Sequence, residues 1–235
     1  MKQKITTFSC IITAAGSSVR FGSKQKKQFY IINGYPILFY AINIFYDIQE
    51  ISEIIISLPE AGFIKNQEII MRTFPKIKKF VIGGNDRKKS VYNALQICDS
   101  NDFVIIHDGV RPFFPKKDLL KMMSKVIECK AIVPGMKVKS TTKLIQNLKI
   151  EKTLDRENLI EVFTPQIFSI DMIKKYHTQA KDLLQLFTDD ASLLEHYQES
   201  VNWHELIDPI LKITTKNDLM YMKFLLNSKL NKTCL

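Results

Sequence analysis

The sequence predicts an α/β fold: a doubly wound, mostly parallel sheet with one projecting β-hairpin arm. Three observations predict it. Short apolar runs alternate with longer segments whose apolar residues recur at helical spacing, which is the pattern of strand–helix–strand crossovers. Three of the runs end in small or acidic residues, Ala15-Gly16, Gly83-Gly84 and His107-Asp108, at the carboxyl edge where such sheets bind ligands. A β-prone stretch across residues 137–154 then interrupts the alternation.

Taken in order, residues 8–13 form an apolar run of strand length, and residues 15–28 a polar loop containing Gly16 and Gly22. Pro36 opens a helix, since its missing N–H is unneeded in a first turn, and Ile37, Ala41, Ile44 and Phe45 share a face. Residues 54–58 are a second strand and 60–74 a helix. Residues 80–82 are a third strand, closed by Gly83-Gly84, and the helix after it puts Val91, Ala94 and Leu95 on one side. Residues 103–107 form a fourth strand, about 115–127 a helix, and 131–133 a fifth strand. Alternation of this kind implies right-handed crossovers. Residues 141–145 and 149–154 read as paired strands around a Gln146-Asn147 turn. A lone two-stranded ribbon is marginally stable in water, so a second subunit is the simplest thing to pack on it. From Val162 the alternation resumes, ending in a helix over residues 216–226. No repeat or linker divides the chain, so residues 1–235 read as a single domain with an arm at about 137–155.

Composition narrows the function classes. At 46% hydrophobic and 25% charged, the chain is of ordinary globular kind. Lys and Arg outnumber Asp and Glu by 34 to 24, a net charge of +10, which points to an anionic partner. Nucleic acid, a phosphorylated metabolite and an anionic membrane all satisfy that. A non-catalytic nucleic-acid-binding protein would line its cations along one helix or interleave them with aromatics. Here they are spread over loops and the arm, so neither nucleic acid nor membrane is the expected partner. Cys10, Cys98, Cys129 and Cys234 have no CxxC spacing and no nearby His, which supports neither zinc nor a disulfide framework. A reducing cytoplasm fits that usage. The N-terminal apolar stretch imitates a signal peptide but is short and broken by Ser9 and Thr13. No stretch approaches the roughly 18 apolar residues of a membrane span.

Three constellations carry chemistry. Ala14-Ala15-Gly16 ends a strand in small residues that let backbone N–H groups approach a ligand, with Arg20, Lys26 and Lys27 following in the same loop. A solvated surface loop is the bland alternative. Gly83-Gly84-Asn85-Asp86-Arg87 leads into a helix on which Arg87 and Ser90 share a face near an end that favours anions. A helix cap by Asn85 or Asp86 is the ordinary reading. Asp108 at a strand end with Arg111 suits a metal–phosphate site, and equally a structural ion pair. His107 reads as a satisfied structural histidine, and His177, His196 and His204 as surface or packing residues. Asp189 and Asp190 read as helix-start acids.

Together these segments resemble the methylerythritol-phosphate cytidylyltransferase family. The resemblance runs through A-A-G-x-x-x-R-x-G with a following K-Q, G-G-x-x-R-x-x-S-V-x-x-A-L and H-D-x-x-R-P, then Thr153-Leu-Asp-Arg156, Phe163-Thr164-Pro165-Gln166 and Thr188-Asp189-Asp190-Ala191. It implies a Rossmann-like nucleotidyltransferase fold that transfers CMP from CTP to 2-C-methyl-D-erythritol 4-phosphate in the non-mevalonate isoprenoid pathway. It implies Arg20, Lys27 and Lys212 as catalytic cations, and Ala14, Ala15, Gly16, Gly84, Asn85, Arg87, Ser90 and Asp108 around the nucleotide. For the acceptor it implies Asp108, Arg111, Thr141, Arg156 and Thr164. Asp108 would sit closest to a Mg²⁺ held mainly by the nucleotide, and the arm would reach a neighbouring subunit in a homodimer with shared sites. The Thr188-Asp189-Asp190 motif leaves a site-support role open. The sequence departs from the family at Lys26, where proline is usual, at Asn85, and at Ile210-Leu211, where N-I precedes the lysine. A ribitol 5-phosphate cytidylyltransferase, of the same fold and reaction, is the nearest rival.

Overall fold

The computed structural model describes residues 6–18, 21–22 and 25–232. In chain order its elements are β1 (Phe8–Thr13), a small hairpin of β2 (Ile31–Ile32) and β3 (Tyr35–Pro36), α1 (Ile37–Asn43), β4 (Ile51–Leu58), α2 (Phe63–Thr73), β5 (Lys79–Ile82) and α3 (Arg87–Gln96). There follow β6 (Phe103–Asp108), α4 (Lys116–Cys129), β7 (Ala131–Lys137), the arm strands β8 (Lys143–Gln146) and β9 (Lys149–Thr153), β10 (Ile160–Val162) and β11 (Gln166–Ser169). The chain continues through α5 (Ile170–Gln179), α6 (Asp190–His196), β12 (Asn202–Glu205) and α7 (Lys216–Lys232).

The period of two along each central strand splits the core into two layers. Phe8, Cys10 and Ile12 of β1 face one side, with Ile54, Ile56 and Leu58 of β4; there α1, α2 and α4 cover them through Leu38, Ile42, Ile70, Met122 and Val126. Ile11 of β1 and Ile55 of β4 face the other side, beneath Val91, Ala94 and Leu95 of α3, Ile173 of α5 and Leu194 of α6. Helices on both faces of one sheet make the expected doubly wound architecture. The strand order is β10-β7-β11-β6-β1-β4-β5, with β12 beside β7. β1, β4, β5 and β6 are parallel neighbours, whereas β11 runs antiparallel to both β6 and β7, and β10 antiparallel to β7.

Several sequence expectations shift. The arm turn lies at Asn147 and Leu148, both at positive φ, and Gln146 pairs with Lys149 instead of turning. The β2–β3 hairpin was not anticipated, although its turn is Asn33-Gly34, both at positive φ, the strongest short-range hairpin signal. α7 runs on past residue 226 to Lys232, because no glycine or proline stops it. β8 begins at Lys143, so Thr141 lies before the arm strand, and α1 ends at Asn43, short of Ile44 and Phe45; the other elements fall on the expected segments, some strands extending up to four residues further, as in β4 and β7. Every residue of β8 and β9 is exposed.

Candidate active site

β6 and β1 are neighbours and β5 lies one strand further on, beyond β4; all end at the carboxyl edge of the sheet, where the turns after β1, β5 and β6 form one wall. After β1 the backbone is held by Gln28, a fully buried residue whose amide donates to the carbonyls of Ala14 (2.7 Å) and Gly16 (3.2 Å). Ser18 Oγ donates to the Gln28 side-chain oxygen Oε1 and accepts from the Lys27 N–H at 3.0 Å. The Gly83-Gly84 turn presses against this loop. A Cβ on Gly83 would lie 2.1 Å from the Ala15 Cβ, and one on Gly84 would lie 2.2 Å from the Lys89 Cγ, so only glycine permits the approach. Asp86 caps α3 by accepting from the Lys89 N–H, while Ser90 Oγ accepts from the Gly84 N–H at 3.0 Å.

At the end of β6, Asp108 is buried with three cations on its two oxygens. Arg87 Nε lies 2.7 Å from Oδ1; Arg111 Nε and Lys212 Nζ lie 3.1 and 2.9 Å from Oδ2. Burial alone would raise this carboxyl's pKa, but the charges of Arg87, Lys212 and Arg111 hold it well below the usual range. Burial likewise would lower Arg87, and Asp190 and Asp108 outweigh it in the opposite direction. Arg111 is pushed down by desolvation, and its Nη1 donates to the Ile210 carbonyl at 3.1 Å. That contact is made by backbone, so the side chain at position 210 is not part of it.

Behind Asp108 lies a neutral relay. Its N–H donates to Thr164 Oγ1 (3.1 Å), which lies 3.1 Å from His107 Nδ1, and His107 Nε2 lies 3.0 Å from the Arg111 carbonyl. A carbonyl can only accept, so Nε2 carries the proton and Nδ1 accepts from the threonine hydroxyl. Burial lowers the His107 pKa to about 4. His107 is therefore the satisfied structural histidine expected.

Ala14, Ala15, Gly16, Lys27, Gly84, Asn85, Arg87, Ser90, Asp108 and Lys212 all line one cavity of about 500 Å³. Among the described residues its wall has four cations, Lys26, Lys27, Arg87 and Lys212, against two carboxylates, Asp86 and Asp108. A triphosphate-sized anion suits that imbalance. Arg111 and Thr164 are buried beside Asp108 and are not on the wall. Thr141 and Arg156 sit exposed beside the arm, away from this cavity, where Arg156 donates to the Lys139 carbonyl at 3.1 Å. Arg20 lies outside the described residues. A larger cavity of about 910 Å³, lined by Tyr40, Phe113, His204, Ile210 and Tyr221, holds none of the nucleotide-loop residues.

Sequence reasoning missed Gln28, although it stands directly after Lys27 in the quoted K-Q pair, and the depth of Asp190. Asp189 does cap α6, in a reciprocal capping box with Ser192. Asp190 instead turns inward, pairing with Arg87 Nη1 at 2.6 Å and His177 Nε2 at 3.2 Å. His177 is thus a buried partner of the charge web. His196 packs edge-on against Phe187 and Tyr197, and His204 pairs with Asp118. Among the described residues no cluster of three or more His, Cys, Asp or Glu side chains could hold a metal by itself, and no helix is long and apolar enough to cross a membrane.

Comparison with known proteins bears on what this cleft serves. Residues 8–228 match the family model described as 2-C-methyl-D-erythritol 4-phosphate cytidylyltransferase. A relative of that name from Clostridium botulinum is 36% identical over 222 residues, covering 93% of this chain and 99% of its own. Another, from Dictyoglomus thermophilum, is 37% identical over 222 residues, covering 92% of this chain and 95% of its own. The crystal structure of 4-diphosphocytidyl-2C-methyl-D-erythritol synthase from Anaerococcus prevotii superimposes with a TM-score of 0.81 at 28% identity, covering 94% of this chain and 99% of the other. On sequence, length and fold together, this chain belongs to the 2-C-methyl-D-erythritol 4-phosphate cytidylyltransferase family.

Proposed function

We propose that this chain transfers CMP from CTP to 2-C-methyl-D-erythritol 4-phosphate, releasing pyrophosphate and forming the CDP-polyol of an isoprenoid precursor route. The observation that carries the reading is the cation-lined cleft at three strand ends in a chain of this family. An oxygen of the acceptor phosphate attacks the α-phosphorus; the bond from that phosphorus to the bridging oxygen breaks, and pyrophosphate leaves with the electron pair. A phosphate monoester is largely a dianion at neutral pH, its second pKa being about 6, so the nucleophile needs no general base. The obstacle is the meeting of two polyanions, and the contribution of the chain is positioning and charge stabilisation.

In this reading Lys27, Lys212 and Arg20 neutralise the phosphates and the crowded transition state. Ala14, Ala15, Gly84 and Ser90 hold the cytosine, Gly16, Asn85 and Asp108 face the ribose, and Arg87 supports that pocket. Asp108, Arg111, Thr141, Arg156 and Thr164 serve the acceptor. The carboxylate of Asp108 is a hard oxygen donor of the kind magnesium takes, and with Arg87, Arg111 and Lys212 on its two oxygens it would accept a Mg²⁺ delivered by the nucleotide only by giving up one of those cations. When bound, that ion would neutralise charge on the triphosphate. Thr141 and Arg156 reach an acceptor only across a subunit boundary, so the active unit in this reading is a homodimer. The wholly exposed arm, with Leu148 98% accessible, supports it.

The test is pyrophosphate release with CTP and Mg²⁺ against a panel of polyol phosphates. Release is expected with 2-C-methyl-D-erythritol 4-phosphate. Faster release with ribitol 5-phosphate would transfer the assignment to that acceptor, and silence across the panel would remove the activity.

A further inference from the structure

Asp190 is a buried carboxylate 103 positions away from Arg87 in sequence, yet it is placed on that arginine. The start of α6 does not need it, because Asp189 fills the cap, accepting from the Ser192 N–H at 2.9 Å while its other oxygen accepts from Gln166 at 2.6 Å. Nor is a buried ion pair in itself a reason for stability, since apolar residues of similar volume often do as well. What the pair does is geometric. The Arg87 guanidinium spans two carboxylates, Nε on Asp108 Oδ1 at 2.7 Å and Nη1 on Asp190 Oδ2 at 2.6 Å. Held from both ends, it fixes one oxygen of Asp108 and leaves Oδ2 for Arg111 and Lys212. The carboxylate of Asp190 is held in turn by His177 Nε2 at 3.2 Å.

Charge points the same way. Arg87, Arg111 and Lys212 stand against Asp108 and Asp190, an excess of one positive charge. Without Asp190, three cations would compete for one carboxylate. Arg87 is 22% exposed at the cavity wall, so it could then swing into the space meant for the nucleotide.

We infer that Asp190, oriented by His177, is a positioning residue for the transfer reaction: it fixes Arg87 and, through Arg87, the carboxylate of Asp108. The inference rests on the proposed activity for its kinetic readout. Asp190→Asn keeps the shape and removes the charge, and kcat/KM for CTP should fall about 10²-fold, the scale of a small misplacement in a positioned site. Arg87→Gln should fall at least as far. The double variant should be no worse than Arg87→Gln within about threefold, because a residue acting through another has nothing left to lose once that partner is gone. Losses that multiply in the double variant, or an Asp190→Asn enzyme with normal kcat/KM and a lower Tm, would show a purely structural role.

If Asp190→Asn does not fold, His177 decides. His177→Phe removes the donor and should cost about tenfold, and His177→Gln should restore kcat/KM to within about threefold of wild type. A fully active, folded His177→Phe would overturn the proposal. CTP binding is measured by calorimetry on the same proteins. Wild type that binds CTP but transfers nothing would sink the proposed activity alone. The positioning role would then be judged on CTP affinity, which Asp190→Asn should weaken about tenfold, and unchanged affinity would end it.

Discussion

Asp108 and His107 are adjacent residues at the end of one strand, and burial disfavours the charged form of both. The aspartate stays charged because three cations surround it, whereas the histidine stays neutral because desolvation outweighs the hydrogen bond its Nε2 gives the Arg111 carbonyl. His107 has its folded pKa depressed from 6.5 to about 4, so the unfolded chain binds the extra proton between those values. Its contribution is whole above pH 6.5 and drains away as pH falls toward 4. Chemical denaturation at stepped pH should show stability dropping by roughly 3 kcal/mol across that window, in addition to other groups. His107→Gln should flatten that part of the slope, and an unchanged slope would mean that other residues carry it. At this scale the sequence was partly legible. His107-Asp108 stood at a strand end, where function was expected, and Lys212 was reachable only through family resemblance. The inward turn of Asp190 was not legible, because two adjacent aspartates at a helix start look alike until a partner far along the chain selects one of them.

The loop after β1 and the Gly83-Gly84 turn act as one element made from two. Added methyl groups separate packing from binding here. On Gly83 a methyl meets Ala15 and Ser90, while on Gly16 it meets nothing within 4 Å and stands at the cavity wall. Gly83→Ala should therefore destabilise by about 1–3 kcal/mol, the usual cost of overpacking, and weaken CTP binding as well. Gly16→Ala should leave stability within about 0.5 kcal/mol of wild type and weaken CTP binding alone. Denaturant melts and calorimetry on both variants check the split, and equal stability losses would contradict it. Elements were the most legible level of this chain. Runs such as Phe8–Thr13 and Phe103–Asp108 are too short and apolar to be anything but buried strands. Direction was less legible, because β11 is buried much like the parallel strands yet runs antiparallel to both of its neighbours, β6 and β7.

At the scale of the whole molecule, one sheet gathers a cleft from residues 14 to 212, while two of the residues assigned to the acceptor stay outside it on the arm. Under the dimer reading, Arg156→Ala should raise the acceptor KM about tenfold and leave the CTP KM nearly unchanged, as loss of one charge-assisted contact does. A CTP KM that moved equally, or an acceptor KM that did not move, would take the arm out of the site. Steady-state kinetics in both substrates decide it.

Lys212 arrives on a strandless stretch that is stitched down by the Leu206 N–H on the Gly135 carbonyl and the Ile213 N–H on the Val110 carbonyl. Between those stitches Ile207 stands 88% accessible, the kind of spot proteases favour. A single backbone cut there would part Lys212 from the chain that precedes it but not from Ile213, Leu219 and Met222, which are buried against Phe21, Ile32, Ile37 and Val110. The clipped tail would stay seated by packing and by its bonds to Val110 and Arg111, and Lys212 would keep its hold on Asp108.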